Sequence, residues 1–498
     1  MLELRSSKLL LAVIIVAFYL RLQGVNSGLP YILNPGESEN LIKLLGIFKV
    51  FKFPALINLL EINAGALFTP LRFFSILFGV GTVIVVYFLG LRFNSFVAVI
   101  ASGLLAVSVL HVKFSQIFVP FGAVIFFCLL SVFFIVKAKI SNKDITLSAI
   151  FSFLSFLIHP IGIVSIIPVL FVLLQEKSYL QFKPLFIKLI IVALLLKLPY
   201  LLHLPGLLFT LFKNYLAGYY NYYSSSYFLY IFSFLLMGTG PVAYFGFLWL
   251  LKYRKDYDLN LMKILFSLPV LCIGVLGFLH FTKAEFTVLI IPYFCISAGL
   301  FFNSVYKRAN TDSKKFIFIL LLLFLFWLPL KYTLKYNKII SLPDTRIIAT
   351  EWIKENTSDN FKIAWDKNSI QPNWYDAYDK QELKYLGAEP EVLISRQRFP
   401  VSLKLLEKKD WFKILRKKVD YVVINNIDYE QVLRQSGNKS GKKYYKKILK
   451  LKPEIVFNPY LKESDKNTNG LLIEELYSPL LTLWQRERSG PVIKVYKL

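Results

Sequence analysis

Unbroken apolar runs of about 20 residues, each long enough to cross a hydrocarbon core of about 30 Å, recur from Leu9 to Leu330 between short basic or polar loops. Inside that core the backbone must satisfy its own hydrogen bonds, which leaves helices or closed barrels. The runs do not alternate apolar with polar as barrel strands do. The pattern predicts an α-helical polytopic membrane protein with about eleven transmembrane helices, at 8–23, 71–91, 95–111, 118–136, 145–158, 160–174, 185–203, 228–250, 263–280, 285–303 and 315–331. No small-residue cleavage site follows the first run, which reads as a retained helix rather than a leader. His159-Pro160 interrupts the pattern, as a re-entrant break or as the joint between two short helices.

After Lys338 the apolar runs shorten and charges of both signs mix, as in a soluble α/β domain. Thr345 to Glu355 reads as a helix capped by Asp344. Val419 to Asn425 reads as a buried strand, and Gly490 to Leu498 alternates like a terminal one. The predicted organisation is a multi-pass membrane domain over 1–337, with a long loop at 24–70, and a soluble domain over 338–498. The lysine-rich stretch Lys439 to Lys452 reads as a solvated helix face, with contact to anionic headgroups as the other reading.

Composition sharpens this picture. Hydrophobic residues make up 56% of the 498, and aromatic residues 16%, more than one soluble core can hide. The 58 basic against 31 acidic residues, a net charge of +27, open a nucleic-acid reading. Their placement points to the membrane instead, because basic residues gather in alternate loops: Arg92, then Lys137 and Lys139, then Lys177 and Lys183, then Lys252 to Lys263, then Lys307 to Lys315. The positive-inside rule then puts the N-terminus in the cytoplasm, and an odd number of spans puts 338–498 outside the cell membrane. Cys128, Cys272 and Cys295 fall inside apolar runs and read as packing residues, not as a disulfide or metal framework.

The loop after the first helix runs LPYILNPGESENLIKLLGIFK, and at this point the chain resembles the GT-C membrane glycosyltransferases, in particular the family 39 group of protein mannosyltransferases and aminoarabinose transferases. RFFSILFGVGTVIVVYFLGLRF is similar to that family's second helix. HVKFSQIFVPFGAVIFFCLL is similar to its second outer loop and fourth helix, and TKAEFTVLIIPYFCISAG to a late segment. DTRIIATEWIKEN and the terminal SGPVIKVYKL have shapes common in prokaryotic relatives. The resemblance implies interfacial helices within 24–70. It also implies transfer of a sugar from a polyprenyl-phosphate carrier to a protein, lipid or glycan acceptor at the outer face. Beyond the carrier-linked donor it implies no cofactor and no nucleic acid, and nothing in the chain argues for a divalent metal.

Such chemistry needs a carboxylate to take the acceptor proton and cations to hold the lipid phosphate. Where the family has a catalytic aspartate before the glutamate, this chain has Gly36, and where a second aspartate follows a proline, it has Phe121 after Pro120. On the predicted topology only Glu37, Glu39, Glu61 and Glu285 of the membrane domain's acids face outward. Glu37 is the candidate base, with Glu39 behind it, against the reading that Glu37 caps an interfacial helix. Lys283 beside Glu285 stands where relatives carry a basic residue. Arg72 and Arg21, at predicted outer helix ends, are the further phosphate candidates, against the reading of interface charges that snorkel. His111, His159, His203 and His280 are all predicted at outer helix ends, as a metal or proton-handling cluster or as interface residues bonding loop carbonyls. The tyrosine-rich stretch Tyr215 to Tyr230 reads as an aromatic belt or as a sugar-stacking surface.

Gly36 and Phe121 support a second reading, a degenerate relative that binds polyprenyl-phosphate lipid or serves as a partner subunit. A transporter or flippase is the third, weakened by the large soluble domain and the lack of a detectable inverted repeat.

Overall fold

A computed structural model describes residues 2–29, 33–34, 36–37, 40, 64–136, 141–175, 227–253, 259–278, 284–357, 362–366, 369, 411–434, 439–462 and 479–498. The predicted span 185–203, Glu39, Glu61, His203, Lys283, His280 and most of the tyrosine-rich stretch lie outside them. The chain divides into two compact units. The first comprises Met1–Val25 with Pro70–Leu334, and the second Asn26–Thr69 with Lys335–Leu498.

The first unit is helical. Its helices are α1 (Leu2–Leu22), α2 (Ala64–Gly90, which begins in the second unit), α3 (Ser95–Val107), α4 (Val109–Gln116), α5 (Phe121–Ile135), α6 (Asn142–Ile158), α7 (Ile166–Gln175), α8 (Tyr227–Tyr253), α9 (Leu259–Phe278), α10 (Ile291–Arg308) and most of α11 (Asp312–Ser341). Among the described residues two helices are long and apolar enough to cross a membrane alone, one at Phe68–Gly90 and one within 312–356, or three if the bent pair α3 and α4 is a single span.

Local chemistry explains several of these bounds. Asn94 caps α3 by accepting the Val97 N–H, and Ser141 with Asp144 forms a reciprocal capping box on α6. His159, extended ahead of Pro160, ends α6, and a 3-10 segment (Pro160–Ser165) leads into α7. In α8 the backbone breaks at Gly240, whose φ of 75° is the left-handed region that suits glycine, directly before Pro241.

Small polar residues hold α5 against α6. The Ser131 hydroxyl lies 2.9 Å from Ser148 Oγ and 2.7 Å from Ser152 Oγ, and Cys128 Sγ lies 3.1 Å from Ser155 Oγ. In lipid no hydrophobic effect presses helices together, so close approach of small residues and hydrogen bonds across the seam carry the packing.

The predicted single span 95–111 is bent. Between α3 and α4 the chain turns by 59° at Ser108. No proline or glycine stands at the turn. The break leaves carbonyls that side chains from distant elements take: Arg21 donates to Ala106 O at 3.1 Å and, at 3.5 Å, to Leu105 O, which also accepts the Ser108 N–H, and Thr333 Oγ1 donates to Val107 O at 2.7 Å.

The second unit contains α12 (Thr345–Asn356), α13 (Trp411–Lys418), α14 (Asn426–Arg434) and α15 (Lys439–Ile448). Its strands are β1 (Ile363–Trp365), β2 (Tyr421–Asn425), β3 (Ile455–Phe457) and β4 (Ile493–Lys497), in the order β1-β2-β4-β3. β1 and β2 run parallel, and β4 is antiparallel to both its neighbours. The two-residue period of β2 splits the core between the faces. Val422 and Ile424 pack with Leu415, Tyr444 and Ile448 under α13 and α15, whereas Tyr421 and Val423 pack with Ala349 and Ile353 of α12. Asp344 caps α12 through the Arg346 N–H and pairs with the Arg346 guanidinium at 2.8 Å. Burial alone raises the Asp344 carboxyl. The Arg346 charge and hydrogen bonds from Arg346 and Ser489 reverse that and hold it below the usual carboxylate range.

Candidate functional site

Candidate residues stand in each of the two units. In the first, the chain at Leu20–Val25, where α1 ends, is gripped from two directions. Gln116 Nε2 of α4 donates to Leu20 O at 2.9 Å, and Arg72 Nη1 of α2 donates to Val25 O at 2.8 Å. A Cβ at Gly24 would run into the Gln116 carboxamide, which explains glycine there. Arg21, fully buried, donates through Nη1 to Ala17 O at 2.8 Å and to Ala106 O. Its Nη2 lies 2.6 Å from His111 Nδ1. A guanidinium only donates, so His111 Nδ1 is the acceptor, and the neutral ring carries its proton on Nε2. Both Nη atoms of Arg21 are thus engaged by the broken helix and its histidine, and only Nε lacks a partner.

Arg72 and Lys113 are buried in the same unit, and the Lys113 ammonium sits 4.5 Å from the centre of the Phe114 ring. Sequence reasoning singled out Arg21 and Arg72 but not Lys113, whose lone charge in an apolar stretch gives no sign of which way it faces. Buried cations in a helical membrane bundle are costly and mark anion pathways or binding sites by default. Arg21 and Arg72 both donate to backbone carbonyls, and with Lys113 they are the buried cations described in this unit.

Phe121, where the resemblance leads one to expect an aspartate, opens α5 inside an aromatic nest. Its ring centre is 5.1 Å from His159, 5.9 Å from Phe286 and 6.1 Å from Phe114. Phe286 belongs to the helical turn Ala284–Thr287, which also carries the half-buried Glu285. His159 Nδ1 accepts the Ile161 N–H at 3.2 Å and so caps the 3-10 segment. His111 and His159 therefore have separate local tasks. Among the described residues no group of three His, Cys, Asp or Glu is placed to hold a metal.

In the second unit Glu37 is fully buried. Its N–H donates to Asn34 O at 3.1 Å, and the Gly36 N–H donates to Asn34 Oδ1 at 3.0 Å. Asn34 thus caps the turn that carries Gly36 and Glu37. A wholly buried carboxylate is held at high cost unless it serves a partner or a reaction.

Residues 53–203 match the profile of the family described as dolichyl-phosphate-mannose-protein mannosyltransferase. The resemblance read from the sequence therefore stands over that stretch. No curated protein sequence matches. Among solved structures, the chain is similar to the ArnT of Cupriavidus metallidurans bound to undecaprenyl phosphate, with 12% identity over 98% of this chain and 97% of that one and a TM-score of 0.46. It is also similar to the Archaeoglobus fulgidus oligosaccharyltransferase, with 14% identity over 75% of this chain and a TM-score of 0.42; the match spans 59% of that protein's length. A third similarity is to the mycobacterial arabinofuranosyltransferase AftD, with 13% identity, a TM-score of 0.41, and coverage of 84% of this chain and 36% of that one.

Proposed function

We propose that this chain is a membrane glycosyltransferase that moves a sugar from a polyprenyl-phosphate carrier to a hydroxyl acceptor at the outer face of the cell membrane. The match of residues 53–203 to a family defined by a dolichyl-phosphate-linked sugar carries this reading. The buried Arg72 and Lys113, with Lys283, supply the positive charge that a lipid phosphate demands. In the reaction the acceptor oxygen attacks the anomeric carbon and the bond to the phosphate oxygen breaks. The carrier phosphate leaves with that electron pair. Glu37 takes the acceptor proton, with Glu39 as its alternate. Glu285 belongs with Lys283 on the donor side.

The side chains at the two family aspartate positions favour a second reading, a lipid-binding relative without transfer. Gly36 offers no side chain, and Phe121 is committed to its aromatic nest. Purified chain in proteoliposomes, given polyprenyl-phosphate sugars labelled in the sugar, separates the two. Transfer of label with release of free polyprenyl phosphate supports the enzyme. Saturable binding of the carrier without release supports the lipid-binding relative.

A further inference from the structure

The second unit concentrates positive charge on one helical pair. Arg416, Lys417 and Lys418 of α13 are exposed, as are Lys443, Lys446 and Lys447 of α15. The two helices meet over one ring: the Arg416 guanidinium lies 5.6 Å and the Lys447 ammonium 5.2 Å from the centre of Phe412. Two cations drawn to one ring repel each other, and among the described residues three nearby acids are engaged elsewhere. Asp420 accepts the Lys362 N–H at 2.7 Å, Asp428 accepts from Asn425 Nδ2 at 2.6 Å, and Glu430 pairs with Arg434 at 3.2 Å. Basic residues in a helix's last turn complement its dipole, which accounts for Arg416, Lys417 and Lys418 of α13 and for Lys446 and Lys447 of α15. Lys439, Lys442 and Lys443, in the first turns of α15, work against the dipole. Folding alone therefore gives no reason for the charge of Lys439, Lys442 and Lys443.

We propose that the α13–α15 face docks on the headgroups of an anionic membrane surface. The tether favours a bilayer over a soluble polyanion. This unit includes the end of α11, the last apolar helix, and only residues 342–344 separate α11 from α12. Lys335 Nζ of α11 donates to Arg486 O at 3.0 Å, and Thr345 Oγ1 donates to Pro491 O at 2.7 Å, so the sheet is fastened to the end of that helix. A basic unit tethered to an apolar helix meets the bilayer at a high effective concentration, whereas a soluble polyanion must be captured from dilution.

The test uses the full-length chain in nanodiscs, with a fluorophore on Ser440→Cys. The native Cys128, Cys272 and Cys295 are buried and spared from labelling. A headgroup-attached quencher reports docking. The expected result is quenching in phosphatidylglycerol discs that is at least about tenfold weaker in phosphatidylcholine discs. It should vanish at about 1 M salt, where the screening length falls to about 3 Å. Each basic side chain near an anionic surface is worth about fivefold in affinity. Combining Lys443→Glu, Lys446→Glu and Lys447→Glu should therefore shift docking by about a hundredfold with an unchanged thermal midpoint. Equal quenching in the two lipids, or none in either, overturns the proposal. So does a probe that ignores phosphatidylglycerol but responds to added polyphosphate, which assigns the face to a soluble polyanion.

Discussion

At the end of α1 the Arg21 guanidinium gathers the carbonyls of Ala17, Leu105 and Ala106 and the ring of His111. Its planar fork lets one side chain serve several acceptors, which a lysine's point charge does not reproduce. Arg21→Lys should therefore destabilise the folded chain by about 1–3 kcal/mol, the usual cost of leaving buried acceptors unsatisfied. Thermal unfolding in detergent measures that loss, and binding of a polyprenyl-phosphate analogue to the remaining folded protein should be unchanged. Weakened binding with an unshifted midpoint would make Arg21 a phosphate ligand instead of a clamp. Gly79 belongs to the same arrangement, since a Cβ there would meet Ser115 and crowd Arg21 Nε. Phe121 is a different case. An aspartate in its place would bury a carboxylate against Phe114 and Phe286, a cost of several kcal/mol unless His159 charges to meet it. Restoring the family's residue there is therefore not a simple repair.

Elements whose cause is local were legible in the sequence. The Asp344 cap, the stop at His159-Pro160 and the buried strand expected over Val419–Asn425 each depend on residues within one turn or one strand, and each appears where the pattern puts it, the strand spanning Tyr421–Asn425. The turn at Ser108 was not legible. AVSVLHV carries no helix breaker, and the groups that stabilise the open carbonyls stand 85 and 226 residues away along the chain. Among the candidate site residues, Arg72 and Glu37 were legible as charges beside apolar segments, and both are buried. The burial of Lys113 was not, because a single lysine amid apolar residues is compatible with either face of a helix. The sheet also carries a pH-sensitive joint. Asp366, just past β1, accepts from Tyr445 Oη of α15 at 2.9 Å and from the Asn425 N–H of β2 at 3.1 Å. Burial first, and the Asp428 charge second, push its carboxyl up to about 8, against the pull of these two bonds. From the ordinary carboxylate range up to about pH 8 the folded chain holds a proton that the unfolded chain has lost. This contribution is complete below that window and falls as pH rises through it, by at most about 1.4 kcal/mol per pH unit. Protection of the β2 amides against hydrogen exchange, corrected for intrinsic rates, should decline from pH 5 to pH 8 and flatten in Asp366→Asn. Wild-type protection that rises over this range would contradict the assignment.

At the scale of the whole molecule, the chain's order and its compact units differ. The second unit joins residues 26–69, which carry Glu37, to residues 335–498. The alternation of basic loops predicts both segments outside the membrane. A reporter active only outside, fused after Pro343, should be active, and activity of a cytoplasm-only reporter there would reverse the orientation and remove Glu37 from the outer face. The central claim is that this molecule transfers a carrier-linked sugar with Glu37 as its base. General-base catalysis contributes about 10²–10⁴-fold. The most direct measurement is the single-turnover rate of sugar transfer by wild type and Glu37→Gln in proteoliposomes, with carrier binding measured on the same samples. The account predicts at least about a hundredfold slower transfer by Glu37→Gln at unchanged carrier affinity; equal rates in the two proteins would contradict it.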